Sequence, residues 1–267
     1  MSLLLACAAV ASAAVKPYAL AELGMSIPVL EGDLYDDETF KAVEDEYDFE
    51  TKGEGTGELC WKIGGGVQVP MGEQFSLDAW AAYASVPYNA KHTLGYSGSE
   101  TLDMGGTVYQ YSFKGEGVVD IDITTSLVEF GGGVRWSATP TLGLGCGFEY
   151  SHVLGSEYTG TFSTSATTTS SQNSSTQEHD DKRKIKGDLE DIEKELRDTT
   201  ESPDVRGFDC KPQDFFSLRI GADYAFTPSV ALTAAYQLPL ADHLDGKTLK
   251  GSLHRVTGGI RFTFGAN

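Results

Sequence analysis

Apolar and polar positions alternate along most of this chain, and the alternation recurs as a unit. KIGGGVQV (62–69), EFGGGVRW (129–136), RIGADYAF (219–226) and RVTGGIRF (255–262) each open on a charged residue and an apolar one. Small residues follow, then apolar–variable–apolar. The first three units run into a short turn (PMGEQ, SATPT, TPS) and a second alternating segment: FSLDAWAAY (75–83), LGLGCGFEY (142–150) and VALTAAYQL (230–238). YALAELGMSIPV (18–29) precedes the first unit. Period-two patterning on both sides of a turn predicts β-hairpins. Eight strands result, each of roughly the 9–11 residues that a membrane β-strand takes.

The connections alternate in length. Tight turns near 70–74, 137–141 and 227–229 interleave with long segments at 30–58, 84–127, 151–214 and 239–252. Short turns at one end and long loops at the other predict an all-β fold, an eight-stranded antiparallel up-and-down transmembrane barrel with long extracellular loops. The two faces agree. With the bulky residues placed outward (Leu23, Ile63, Leu77, Phe130, Phe148, Ile220, Leu232 and Ile260, for example), no outward position in the eight strands is charged, although 22% of the chain is. A charge at the bilayer midplane costs about 2–4 kcal/mol, so such a surface is expected to face lipid.

The opposite face collects the charge: Glu22, Asp78, Glu129, Glu149 and Asp223 against Lys62, Arg135, Arg219, Arg255 and Arg261. Five acids meet five bases, and an unpaired ion in a narrow lumen is expensive, so these ten are expected to form an ion-pair network that plugs the barrel. Inward glycines and other small residues leave room for the long side chains, because an eight-stranded barrel is only wide enough for side chains to fill. A soluble barrel of lipocalin type would carry an apolar lumen instead. Here the charged face has few large apolar groups beyond Tyr18, Leu20 and Trp80. Trp136, Phe226, Phe262 and Phe264 gather at the short-turn end and suit an interfacial aromatic girdle.

Composition narrows the classes further. Acids outnumber bases 39 to 20, for a formal net charge of −19, which argues against nucleic acid as a partner. Mean hydropathy is −0.22, and no apolar run is long enough for a transmembrane helix. MSLLLACAAVASAAVKPY reads as an apolar core followed by small residues. That predicts a signal peptide over 1–14, truncated in its basic n-region, and a barrel domain over 15–267 with 151–214 as an inserted loop. Cys60, Cys146 and Cys210 then remain; either Cys60 and Cys210 pair, or all three stay free and behave as small hydrophobes.

The repeated GG-x-(Val/Ile)-x-aromatic strands, the Thr-Pro turns and the last strand RVTGGIRFTF resemble the eight-stranded outer-membrane barrels of the outer-membrane protein A and opacity-protein class. The resemblance covers about two-thirds of the chain. It implies a cell outer-membrane location, with outer-membrane lipid as the surrounding partner and a structural or surface-interaction role, adhesin-like, carried by the loops. The alternative is a narrow porin-like channel for small solutes.

The long segments hold the remaining candidates. Residues 31–58 are acidic, but their spacing is not that of an EF-hand, and a solvated charge run is expected rather than a metal site. TVYQYSF and VVDIDI, within 84–127, alternate as strands do, yet Val119, Ile121 and Ile123 have the opposite parity to Val128 and Phe130. Either a bulge lies near 124–127, or these residues pack beneath the loop. In 181–199, Ile185, Leu189, Ile192 and Leu196 fall at spacings of 4, 3 and 4, predicting an amphipathic helix. Its apolar stripe either caps the barrel's own loops or forms the interaction face for an extracellular ligand or protein. No catalytic residues, cofactor or metal are expected. Ser151 and His152 are sequence neighbours, and adjacent strand residues point to opposite faces.

Overall fold

The computed structural model describes residues 15–31, 48–104, 107–170, 176–187, 211–245 and 250–265. Twelve strands run through them: β1 (Lys16–Glu31), β2 (Asp48–Gly57), β3 (Leu59–Pro70), β4 (Phe75–Met104), β5 (Thr107–Ser137), β6 (Leu142–Ser170), β7 (Thr176–Gly187), β8 (Lys211–Pro212), β9 (Phe215–Ala225), β10 (Val230–Pro239), β11 (Leu244–Asp245) and β12 (Lys250–Thr263). Eight of them form a ring, β1–β3–β4–β5–β6–β9–β10–β12, in antiparallel order. β12 returns to β1, with pairing from Tyr18–Thr263 to Glu31–Lys250. Closure satisfies the backbone groups of both edges, as a barrel in hydrocarbon must.

The short turns explain themselves locally. After β3, Gly72 takes a left-handed φ of 93°, and the Met71 amide donates to the Phe75 carbonyl at 2.7 Å. In the two Thr-Pro turns the threonine hydroxyl acts as the cap. Thr139 Oγ1 accepts from the Leu142 amide at 2.9 Å, and Thr227 Oγ1 accepts from the Val230 amide at 3.0 Å. Such side-chain turns compete well with a continued strand.

Three strands are far longer than a membrane needs. β4, β5 and β6 have 30, 31 and 29 residues, or about 100 Å of path at roughly 3.3 Å per residue. The segments expected as loops at 84–127 and 151–170 are therefore largely wall. β2 adds to β4 and β7 adds to β6, so a five-stranded extension, β2–β4–β5–β6–β7, rises above the ring.

The wall changes polarity as it rises. Around the ring the outer face is apolar, with Leu23, Ile63, Phe130, Phe148, Ile220 and Ile260 exposed. On β4 and β5, above Tyr83 and Val128, the outward residues become Ser85, Asn89, Asp120, Asp122 and Thr124, while Ala84, Val86, Tyr88, Ile121, Ile123 and Leu127 turn inward and are buried. Pairing between β4 and β5 is unbroken from Phe75–Trp136 to Met104–Thr107. No slip causes the reversal; the two strands keep their facing and the solvent outside them changes from lipid to water. Val119, Ile121 and Ile123 are thus apolar residues packed inside. The bulge lies on β6, where Leu154 is the extra residue opposite Ser126 and Leu127. It shifts β6 by one position, so that Tyr150 faces out and Tyr158 faces in.

Residues 1–14 lie outside the described residues, as do Leu189, Ile192 and Leu196 of the expected helix. The first part of that stretch, 181–187, including Ile185, belongs to β7. Its backbone pairs with 158–164 of β6, because a long strand leaves ladder groups that the next segment satisfies most directly by pairing.

Candidate functional site

Each of the ten charged residues expected in the lumen sits on the inward parity of its strand. Strand alternation and barrel closure bring them together in three linked groups. The uppermost is the most enclosed. Lys62 from β3 meets Glu129 from β5 at 2.5 Å and Glu149 from β6 at 2.8 Å. Arg255 from β12 pairs with Glu129 and reaches Glu149 at 3.5 Å. The two bases are 2% exposed and the two acids 0%. Glu149 also accepts from Trp80 Nε1 at 2.9 Å and from the Gln237 amide. Two cations and two anions with extra donors on Glu149 form a neutral cluster, and such pairing is the condition under which buried ions are tolerated.

Below it, Arg219 pairs with Glu22, which also accepts from Thr257 Oγ1 at 3.1 Å and Thr233 Oγ1 at 3.4 Å. Nearer the short turns, Asp223 binds Arg135 and lies 3.4 Å from Arg261. Arg261 is 3.8 Å from Asp78 and covers the Tyr18 ring at 5.5 Å. A cavity of about 90 Å³ lies among these lower groups, lined by Glu22, Asp78, Arg135, Arg219, Asp223 and Arg261 with glycines and alanines between them.

Inward glycines make these contacts possible. A Cβ on Gly131 would lie 2.1 Å from the Trp80 indole, and one on Gly143 would lie 2.4 Å from Arg135 Nε. Trp80 was conspicuous in the sequence only as a bulky inward exception. In the fold its ring lies over Gly131 and its N–H is a ligand of Glu149.

Above the charged cluster the lumen is closed by hydrocarbon. Cys60, Ala84, Val86, Tyr88, Ile123, Leu127, Phe215, Leu244 and Leu253 form one buried cluster, with Leu30 and Val153 against it. The sequence pattern placed charge in the lumen but not this second layer, most of whose residues, Cys60, Phe215 and Leu253 apart, fall in segments read as loops. Alternating apolar positions in 84–127 were the signal that could have located it. Cys60 lies in this layer as a free thiol, and Cys210 is outside the described residues.

Aromatic residues mark both boundaries of the apolar band. At the short-turn end, Trp136, Phe226, Phe262 and Phe264 are exposed, with Phe262 and Phe264 edge to face at 5.0 Å and Phe226 packed on Tyr224 at 5.3 Å. A second ring at the other boundary was not singled out from sequence. Trp61 packs with Tyr83 at 5.5 Å and Tyr150 with Phe216 at 5.0 Å, and Tyr236 stacks on His254. Phe75 and Tyr83, eight residues apart on β4, span the band: about 26 Å along the strand at roughly 3.3 Å per residue.

On the outer rim, Asp214 gathers three donors. Tyr150 Oη donates to it, His152 Nδ1 lies at 2.9 Å, and the Val153 amide donates at 2.8 Å. Partial burial pushes its carboxyl up, but these donors outweigh that and hold it at about 2. Ser151 faces the other way, buried, with its Oγ 3.5 Å from Glu129. Serine and histidine therefore stand on opposite sides of the wall. Asp48 and Glu50 of the acidic segment lie in β2, and among the described residues no group of three or more His, Cys, Asp or Glu is arranged to hold a metal ion.

A closed ring, an uncharged apolar band between aromatic girdles and a charge-filled lumen define an outer-membrane-type β-barrel. No protein-family model matches the chain, and no curated protein does. Among solved structures it is similar to the attachment invasion locus protein Ail of Yersinia pestis, at 9% identity and TM-score 0.27, over 92% of this chain and 99% of that one. It is also similar to the outer membrane protease OmpT of Escherichia coli, at 12% identity and TM-score 0.29, over 93% and 97%. The outer membrane channel DcaP of Acinetobacter baumannii matches at 10% identity and TM-score 0.20, over 95% and 98%. Likenesses this low add nothing to what the band and lumen of this chain already establish.

Proposed function

We propose that this protein is a sealed barrel of a bacterial outer membrane, in the manner of the outer-membrane protein A and opacity-protein class, whose work is done by its outer extension. The observation that carries the reading is the double closure of the lumen. The buried Lys62–Glu129–Glu149–Arg255 cluster fills it, and the apolar layer around Ile123, Leu127 and Phe215 covers that cluster. A solute would have to separate ions in a dry interior and then cross hydrocarbon. β4, β5 and β6 instead carry a large polar surface beyond the lipid, which suits a structural or adhesin-like role at the cell surface.

Replacing residues 93–118 by a tight Asn-Gly turn closes the β4–β5 hairpin on its His92–Val119 pair, removes the part above it and leaves Ala90 and Val119 of the buried apolar layer in place. Cells displaying the shortened chain are expected to lose the attachment and self-aggregation shown by cells displaying the full chain. The barrel should still show the shifted gel mobility of a folded one before boiling. Undiminished attachment with a folded short barrel would overturn the surface reading.

A further inference from the structure

The segment that crosses the outer mouth of the barrel is held around one histidine. His243 is 1% exposed, with its ring against Phe215 at 5.0 Å and Tyr88 at 6.1 Å between centroids. Neither ring nitrogen has a hydrogen-bond partner. Its backbone is tied on both sides: its amide donates to the Gly251 carbonyl at 2.7 Å, and its carbonyl accepts from the Gln213 amide at 2.8 Å. The next residue, Leu244, pairs with Pro212 and Gly251 and belongs to the plug. A neutral imidazole fits this site as a hydrophobic ring. A protonated one would bring two N–H donors and a charge into a site where, among the described residues, the Gln213 backbone alone favours it.

We infer that His243 is an acid-operated latch: protonation of its ring drives the 240–245 segment off the barrel mouth and uncovers the apolar layer beneath. The charged groups around it favour release. Arg255 on β12 lies on its lumen side and repels the protonated ring, and the acids beyond, Glu129 and Glu149, are already engaged by Lys62 and Arg255. β4 and β9 present the uncharged Tyr88 and Phe215. On the segment itself, Asp242 is engaged by Lys250 at 3.2 Å. Burial, opposed in part by the Gln213 backbone and helped by the Arg255 charge, pushes the His243 ring down from 6.5 to about 4 while the latch is closed.

The sign follows from linkage. The open state binds a proton near 6.5 and the closed state only near 4, so the closed form is favoured above about 6.5 and loses ground as pH falls to about 4. Between pH 8 and pH 5 these two values predict a rise of about 30-fold in the open-to-closed ratio.

Hydrogen exchange on the full chain refolded in micelles reads this at the His243 and Gln213 amides. Their protection factors, corrected for intrinsic exchange, are expected to fall about 30-fold from pH 8 to pH 5. In His243→Phe, which keeps the ring and removes the titration, they should not fall. Unchanged protection in the natural chain overturns the latch, as does an equal fall in His243→Phe. If that variant does not fold, the natural chain still decides through histidine resonances. A His243 ring that titrates at its ordinary value while the amides stay protected would also overturn it.

Discussion

Replacing Glu149 by alanine is expected to cost the folded barrel about 3–5 kcal/mol, the range for breaking a buried ion pair by removing one partner. Glu149 is fully buried and takes Lys62, Arg255, Trp80 and Gln237. Without it, Lys62 and Arg255 share Glu129 alone, and one positive charge is left uncompensated where no water reaches. The Trp80 N–H and the Gln237 amide also lose an acceptor. Urea unfolding in micelles, followed by tryptophan fluorescence, measures the loss. Removing Lys62 as well restores neutrality, so Glu149→Ala with Lys62→Ala should cost clearly less than the sum of the single substitutions, as coupled sites do. Strict additivity would mean that the cluster is not one electrostatic unit.

Ile220→Arg is the second large effect. Ile220 sits at the middle of β9, facing outward between Cys146 and Tyr236, and an arginine at the midplane of the lipid face costs about 2–4 kcal/mol. Thr159, on the outward face of β6 above the bulge, is the control. It is exposed and stands where the outer surface is already polar, so Thr159→Arg should cost under about 1 kcal/mol. Folding titrations in bilayers of defined thickness compare the two. Equal costs would contradict the placement of the membrane boundary between Tyr83 and Asn89 on β4.

The ring was legible because lipid imposes a strict rule: outward positions of LGLGCGFEY and RIGADYAF carry no charge, and one charge would have broken the pattern. The extension was not, because that rule ends at the girdle. Beyond Tyr83 the faces exchange character without any slip in register, so a test for lipid-facing alternation reads the same strand as loop. The inward position of Lys62 or Arg255 also follows from alternation. Which acid each one meets depends on the stagger of strands across the lumen: Lys62 on β3 reaches Glu149 on β6, 87 residues away, and no local pattern encodes that. Trp80 shows the same limit, since its role rests on Gly131 leaving a place for the indole.

Single-channel recording of the refolded chain in a planar bilayer tests the central claim most directly. A lumen filled by the Lys62–Glu129–Glu149–Arg255 cluster and covered by hydrocarbon predicts a folded barrel that stays electrically silent at neutral pH, in the natural chain and in Arg135→Ala alike. Discrete, reproducible openings whose size changes with Arg135→Ala or Arg219→Ala would contradict it and make the lumen a path.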